Sequence, residues 1–172
     1  MERARFLRQV AGRTVAAQRM KWKPSLSASA NARKMLPKLA ENYFIAGRKA
    51  AGKHSPKALH RFRICTKRFR YALELFGPVY DTSLKRRLKN LHKLQDALGK
   101  ISDYQSILEL LDGDRATVTK IEDAMKRKTK DFKREWKEFD SNGQLKDWKD
   151  YLGRAAARPR ARKSARPAAV NK

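Results

Sequence analysis

The feature that most constrains this chain is the spacing of its apolar residues. From about residue 30 to residue 152 they recur three and four apart, which places side chains on one face of an α-helix. No stretch alternates apolar and polar residues over the length of a strand, so a half-buried sheet has no pattern to build on.

Breaks divide the helical pattern into segments. Residues 30–51 carry Leu36, Leu39, Tyr43, Ala46 and Ala50, with Ser29 as the expected N-cap and Gly52 just past the end. Pro37 marks either the start of regular helix there or a kink. Ser55-Pro56 opens the second segment. Serine can cap, and proline suits the first helical position because its missing N–H would be unpaired anyway. Phe62, Cys65, Phe69, Ala72, Leu73 and Phe76 form its apolar face, and Gly77-Pro78 ends it.

The third segment starts near Thr82 or Ser83. Its seam is Leu84, Leu88, Leu91, Leu94, Leu98 and Ile101, resuming through Ile107, Leu108 and Leu111 up to Asp112-Gly113-Asp114. Gly99 within it costs about 1 kcal/mol against alanine, which implies close helix packing or a local break. The fourth, residues 115–139, carries Val118, Ile121, Met125, Phe132, Trp136 and Phe139, and Ser141-Asn142-Gly143 closes it. Leu145, Trp148 and Leu152 mark a short amphipathic piece that folds back on the rest. The expected fold is all-α: an antiparallel four-helix bundle with basic, flexible N- and C-terminal extensions. Residues 1–28 read as a basic arm and a Pro- and Ser-containing linker, 29–152 as the bundle, and 153–172 as a disordered basic tail.

Charge narrows the partners. Lys and Arg number 43 against 17 Asp and Glu, a net +26. Residues 1–23 hold seven basic residues and one acid, and residues 153–172 hold seven and none, which leaves 29 basic and 16 acidic residues between them. The expected bundle is therefore itself strongly positive. Self-repulsion at this charge destabilises a compact state, and a polyanion relieves it. The first twenty residues lack the apolar run of a secretory signal. They are Arg-rich, as organelle transit peptides are, but an extended basic arm is the preferred reading. No run approaches 18 apolar residues, so no membrane partner is expected. The single cysteine, Cys65, excludes an intramolecular disulfide and fits a reducing compartment or indifference to redox, and the expected location is the cytoplasm.

The positive charge is striped. His60, Arg63, Lys67 and Arg70 are spaced 3, 4 and 3, which puts them on one face over about 15 Å of helix. Arg68 adds to the cluster, and only Glu74 offers an intrahelical partner. Like charges at i,i+4 repel, so such a row is costly unless something anionic lies along it. Lys85, Lys89 and His92 form a companion stripe on the third segment, with Arg86 and Lys93 beside it. Two stripes on neighbouring helices would form a basic groove, with Asp96 and Asp103 orienting Lys89 and His92. The fourth segment adds Lys126, Lys130, Lys133 and Lys137, interleaved with Glu122, Asp123, Asp131, Glu135 and Glu138 as a solvated helix face would be. The chemistry suits phosphate: arginine presents a planar fork of donors, and lysine a mobile point charge.

The same residues carry a family resemblance. LHRFRICTKRFRYALELF, residues 59–76, resembles the signature helix of the CHAD family, the conserved-histidine α-helical domain: a histidine, an arginine three on, and a basic cluster seven, eight and ten on. LKNLHKLQDALGKISD, residues 88–103, is similar to that family's leucine block with its Leu-Gly and later Asp, here Leu98-Gly99 and Asp103. ENYFIAGRKAAG upstream is similar to the helix before the signature, so the resemblance covers roughly residues 29–140. It implies a helical bundle whose basic surface binds inorganic polyphosphate, and an association with polyphosphate granules. Family domains commonly hold two four-helix repeats facing across a basic cleft, and one copy of the motif is found here. A homodimer would complete the cleft. A family lysine in the leucine block is His92 here, which weakens that contact at neutral pH.

Other chemistries find little support. GRKAAGKH, residues 47–54, nearly matches a phosphate loop but lacks the final Ser or Thr and follows a helix rather than a strand. His54, His60 and His92 have no carboxylate or thiol cluster at ligand spacing, so neither metal nor cofactor is expected. There is no nucleophile elbow or catalytic carboxylate pair, so no catalytic residue is assigned. Cys65 reads as a buried small hydrophobe. The expected function is noncatalytic polyphosphate binding through His60, Arg63, Lys67, Arg68, Arg70, Lys85, Lys89 and His92, with secondary contributions from Arg86, Lys93, Lys126, Lys130 and Lys133. The competing reading is a nonspecific nucleic-acid binder using the basic helices and the RPRARKSARP tail.

Overall fold

The computed structural model describes residues 22–52, 55–111 and 114–154, and the regular structure there is wholly helical. Helix α1 spans Ala28–Gly52, α2 Pro56–Leu75, α3 Ser83–Leu110, α4 Arg115–Phe139 and α5 Gln144–Gly153, with one 3-10 turn at Gly77–Val79. Most of the expected N-terminal arm and nearly all of the expected tail lie outside the described residues, as does His54.

Local chemistry sets most of the helix ends. The Ser55 hydroxyl accepts from the Ala58 N–H at 3.2 Å with Pro56 at the first helical position, as the sequence predicts. Asp114 caps α4 by accepting from the Thr117 N–H at 2.6 Å. Gly143, with φ +86°, makes the left-handed turn into α5. Three expectations change. The cap of α1 is Ser27, whose hydroxyl accepts from the Ala30 N–H, and not Ser29. Gly52 is the last residue of α1 and not a left-handed residue beyond it. Pro37 lies inside α1, nine residues past its first residue, which excludes a helix start there and leaves the kink of the two readings.

Asn31 explains the early start of α1. It is fully buried, its Oδ1 accepts from the Lys23 N–H, and its Nδ2 donates to the carbonyls of Lys23, Leu26 and Ser27. The stretch expected to be a linker is thus a turn fastened to the first turn of α1, and Trp22 stacks on Phe76 at 6.2 Å.

The core gathers around Tyr43. Its ring stacks on Phe62 at 5.2 Å and Phe69 at 4.7 Å, and meets Trp136 edge-on at 5.8 Å. Leu36, Phe44, Leu73, Leu91, Leu94, Leu98, Ile101 and Phe132 complete it, all buried. Helix α1 packs on α2 and α5, α2 on α3, and α3 on α4. At the other end of the α4 stripe Val118, Ile121 and Met125 are only half-buried. Helix α5 folds back as expected, burying Trp148 and Leu152. It is held by the Tyr80 hydroxyl donating to the Leu152 carbonyl and by Arg87, which lies over the rings of Trp148 and Tyr151. Gly47 allows α4 to approach α1: a Cβ there would stand 2.0 Å from the Trp136 ring. Its place inside α1 also removes the near-match to a phosphate loop.

Candidate functional site

Because α2 buries Phe62, Phe69 and Leu73, helical geometry turns Arg63, Lys67, Arg70 and Glu74 to its flank. On α3 the buried seam of Leu91, Leu94 and Leu98 likewise turns His92, Gln95, Gly99 and Asp103 outward. The two flanks meet. Arg70 Nε donates to Gln95 Oε1 at 2.8 Å, and His92 Nε2 lies 3.8 Å from Glu74 Oε1. As the numbering rises along α2 it falls along α3, so Arg63 and Lys67 face the stretch of α3 beyond Gln95. There a surface groove of about 430 Å³ is lined by Arg63, Lys67, Gln95, Asp96, Gly99, Lys100 and Asp103.

This register differs from the simplest expectation. The stripe His60, Arg63, Lys67 and Arg70 does run along the α3 side of α2, but its neighbour is the 95–103 stretch. Lys85 and Lys89 continue the line past Glu74 instead of facing the first stripe. Both are exposed and make no ion pair among the described residues. His60 is exposed one turn before Arg63. Arg68 is turned about 100° from Lys67, outside the groove and close enough to Cys65 to favour its thiolate. Arg86 is exposed, while Lys93 faces α4, where its charge lies beside Glu135. On α4, Lys126 is paired with Asp123 at 3.1 Å, and Asp131 holds both Lys128 and Arg134. Lys130 and Lys133 also lie on α4, which packs on α3 and not on the groove.

The groove has two characters. At one end Glu74 acts as an internal counter-ion: it accepts from Arg70 at 2.6 Å and faces His92, and the Arg70 side chain is only 13% exposed. At the other end Arg63, Lys67 and Lys100 make no ion pair among the described residues, and neither do Asp96 and Asp103. Arg63 Nε is buried without a hydrogen-bond acceptor. Asp96 and Asp103 therefore line the groove instead of orienting Lys89 and His92, and the carboxylate beside His92 is Glu74. Lys100 was missed from the sequence. Its signal is the 3–4 spacing of Lys89, His92, Asp96, Lys100 and Asp103, which mixes both signs of charge.

Such a surface can hold anionic oxygens, with an arginine fork and two ammonium groups beside the carboxylates of Asp96 and Asp103. No group of three His, Cys, Asp or Glu gathers among the described residues to hold a metal ion. Burial pushes the Cys65 thiol up to about 11, so it is a poor nucleophile at neutral pH. No helix among the described residues is long and apolar enough to cross a membrane.

A family model described as the CHAD domain matches residues 2–112, and the chain belongs to that family. The match begins ahead of the stretch expected to carry the resemblance and ends at the α3–α4 connection. It includes α1, α2, α3 and the whole groove. No curated protein and no solved structure matches the chain.

Proposed function

We propose that this CHAD-family protein is a noncatalytic binder of inorganic polyphosphate, which it holds in the groove between α2 and α3. The CHAD domain is in general a polyphosphate-binding module and not an enzyme. The observation that carries the reading is the set Arg63, Lys67 and Lys100, which share one groove with no ion pair among the described residues, beside a buried Arg63 Nε that lacks an acceptor. Asp96 and Asp103 line the same groove without pairing to them, so the three cations keep donors free for an anion with oxygens along its length.

A linear anion also suits the layout. His60 extends the groove at one end, while His92, Lys89 and Lys85 carry the line beyond Glu74 at the other. The reading takes the four long helices as an antiparallel bundle, with the α2 stripe along the 95–103 stretch of α3 and the Lys85–Lys89 stripe continuing beyond Glu74. The basic residues of 1–28 and 153–172 would add salt-sensitive attraction without selectivity. A second copy would widen the basic surface into a cleft. The cytoplasm, at polyphosphate granules, is the setting this activity fits.

The test is binding of fluorescent long-chain polyphosphate at physiological salt, with and without excess duplex DNA. It uses the full chain, a version lacking residues 155–172, and the His60/Arg63/Lys67 triple alanine variant. The expected result is tight binding that DNA does not displace, kept without the tail and weakened on the order of a hundredfold in the triple variant. Binding that leaves with the tail, or equal competition by DNA, would make this a general polyanion binder and overturn the reading.

A further inference from the structure

Two helical glycines contrast. At Gly47 the missing side chain is required by packing, since a Cβ would collide with Trp136. At Gly99 a Cβ would meet no atom within 4 Å, the φ angle is not positive, and α3 runs unbroken from Ser83–Leu110. Close packing and a helix break, the two reasons the sequence suggests, are both absent. A glycine inside a helix nevertheless weakens it relative to alanine. What distinguishes Gly99 is its place in the lining of the groove, with Arg63 and Lys67 on the facing helix and Lys100 beside it.

We propose that Gly99 is the specificity-determining position of the groove. Its bare backbone lets a phosphate group settle against α3 within reach of Arg63, Lys67 and Lys100. The inference rests on the polyphosphate reading and names where in the groove the chain is gripped. Asp96 and Asp103 frame the seat. They lie three residues before and four after Gly99, a window of about 10.5 Å along the helix. Carboxylates at both edges repel a phosphate lying over them, so the anion centres between them, where cations face it. Seated there, its oxygens supply the acceptor that the buried Arg63 Nε lacks, after a small turn of the guanidinium. A bare phosphate chain can enter such a window because each unit presents only oxygens, with its further units lying toward α2, along Arg63 and Lys67, and not over the carboxylates. A phosphodiester carries a sugar on both sides of every phosphate, and that bulk keeps its phosphates off the bare backbone at Gly99.

The experiment compares the full chain with Gly99→Ala and Gly99→Leu. It measures the melting midpoint and the Kd for long-chain polyphosphate and for a single-stranded oligonucleotide of equal phosphate count. Alanine is expected to raise the midpoint while weakening polyphosphate binding. Leucine is expected to weaken it about tenfold or more, the loss of one charge-assisted contact, with oligonucleotide binding little changed. Gaining stability while losing affinity cannot come from a misfolded groove, and the alanine variant decides the matter if leucine lowers the midpoint. Equal polyphosphate binding by all three proteins, or equal losses for both ligands, overturns the role of Gly99 alone. Failure of the unaltered protein to bind polyphosphate overturns the proposed function and this inference with it.

Discussion

Tyr43 sits at the centre of the core with no exposed surface, and its hydroxyl lies beside Thr66 without a hydrogen bond of good geometry. The nearby Thr66 hydroxyl donates to the Phe62 carbonyl at 2.9 Å. Leaving a buried hydroxyl unpaired costs free energy that the stacked rings offset. Tyr43→Phe keeps the ring contacts and is expected to raise stability by about 1 kcal/mol in urea unfolding. A loss of similar size would mean that the hydroxyl has a partner. The pH dependence follows from the same burial. Burial raises the Tyr43 phenol well above its ordinary 10.0, and moves the Cys65 thiol from 9.0 to about 11. The unfolded chain therefore gives up these protons first as pH rises. Their contribution, fully present at neutral pH, is lost from about pH 9 upward. Circular dichroism across that range should show alkaline unfolding, with the midpoint shifted up in Tyr43→Phe.

At the scale of the helix, glycine tests which contacts hold the elements together. Gly47→Ala sets a methyl against the Trp136 ring and should destabilise the fold by about 1–3 kcal/mol, because α1 and α4 must separate. Gly99→Ala, which meets nothing, should stabilise by about 1 kcal/mol. Thermal unfolding of the pair checks both signs, and a shared sign would contradict the packing described. The contrast also shows what a sequence can carry. Gly99 reads as a cost within a helical pattern and Gly47 as part of a near-match to a phosphate loop, and only the three-dimensional neighbour shows which glycine packing requires. Helix existence was legible because it is local: Ser55-Pro56, Gly77-Pro78 and the residues around Gly143 stop or start helices through their own backbone chemistry. The cap of α1 was misplaced because Ser27 and Ser29 are equally good capping residues, and the choice falls to Asn31, whose side chain fastens the preceding turn. The α2 stripe was legible from its period. Its neighbours were not, because the register of α2 on α3 is decided by the packing of seam residues. That register sets Arg70 against Gln95, brings Lys100 into the groove and carries Lys85 and Lys89 past its end.

For the whole molecule, a net charge of +26 makes ionic strength act in two opposing ways. Bound ion pairs such as Arg48–Asp140 are local attractions at the surface, where single pairs contribute little. Repulsion among the excess cations extends over the molecule and is screened beyond a Debye length of about 8 Å at physiological salt. Added salt should therefore raise the melting midpoint of the protein alone. A fall would show that attractive pairs dominate. Binding responds with the opposite sign, because a polyanion releases counterions when cations replace them. Polyphosphate should raise the midpoint strongly at low salt, and the curves with and without it should converge as salt increases. The slope identifies the site. Contacts from Arg63, Lys67 and Lys100 alone give log K against log salt a slope of about −2, by the coefficient for single strands. If the groove holds the chain, removing residues 155–172 leaves most of the affinity at physiological salt and brings the slope toward that value. If the basic ends hold it, the same deletion removes the affinity and the salt dependence together.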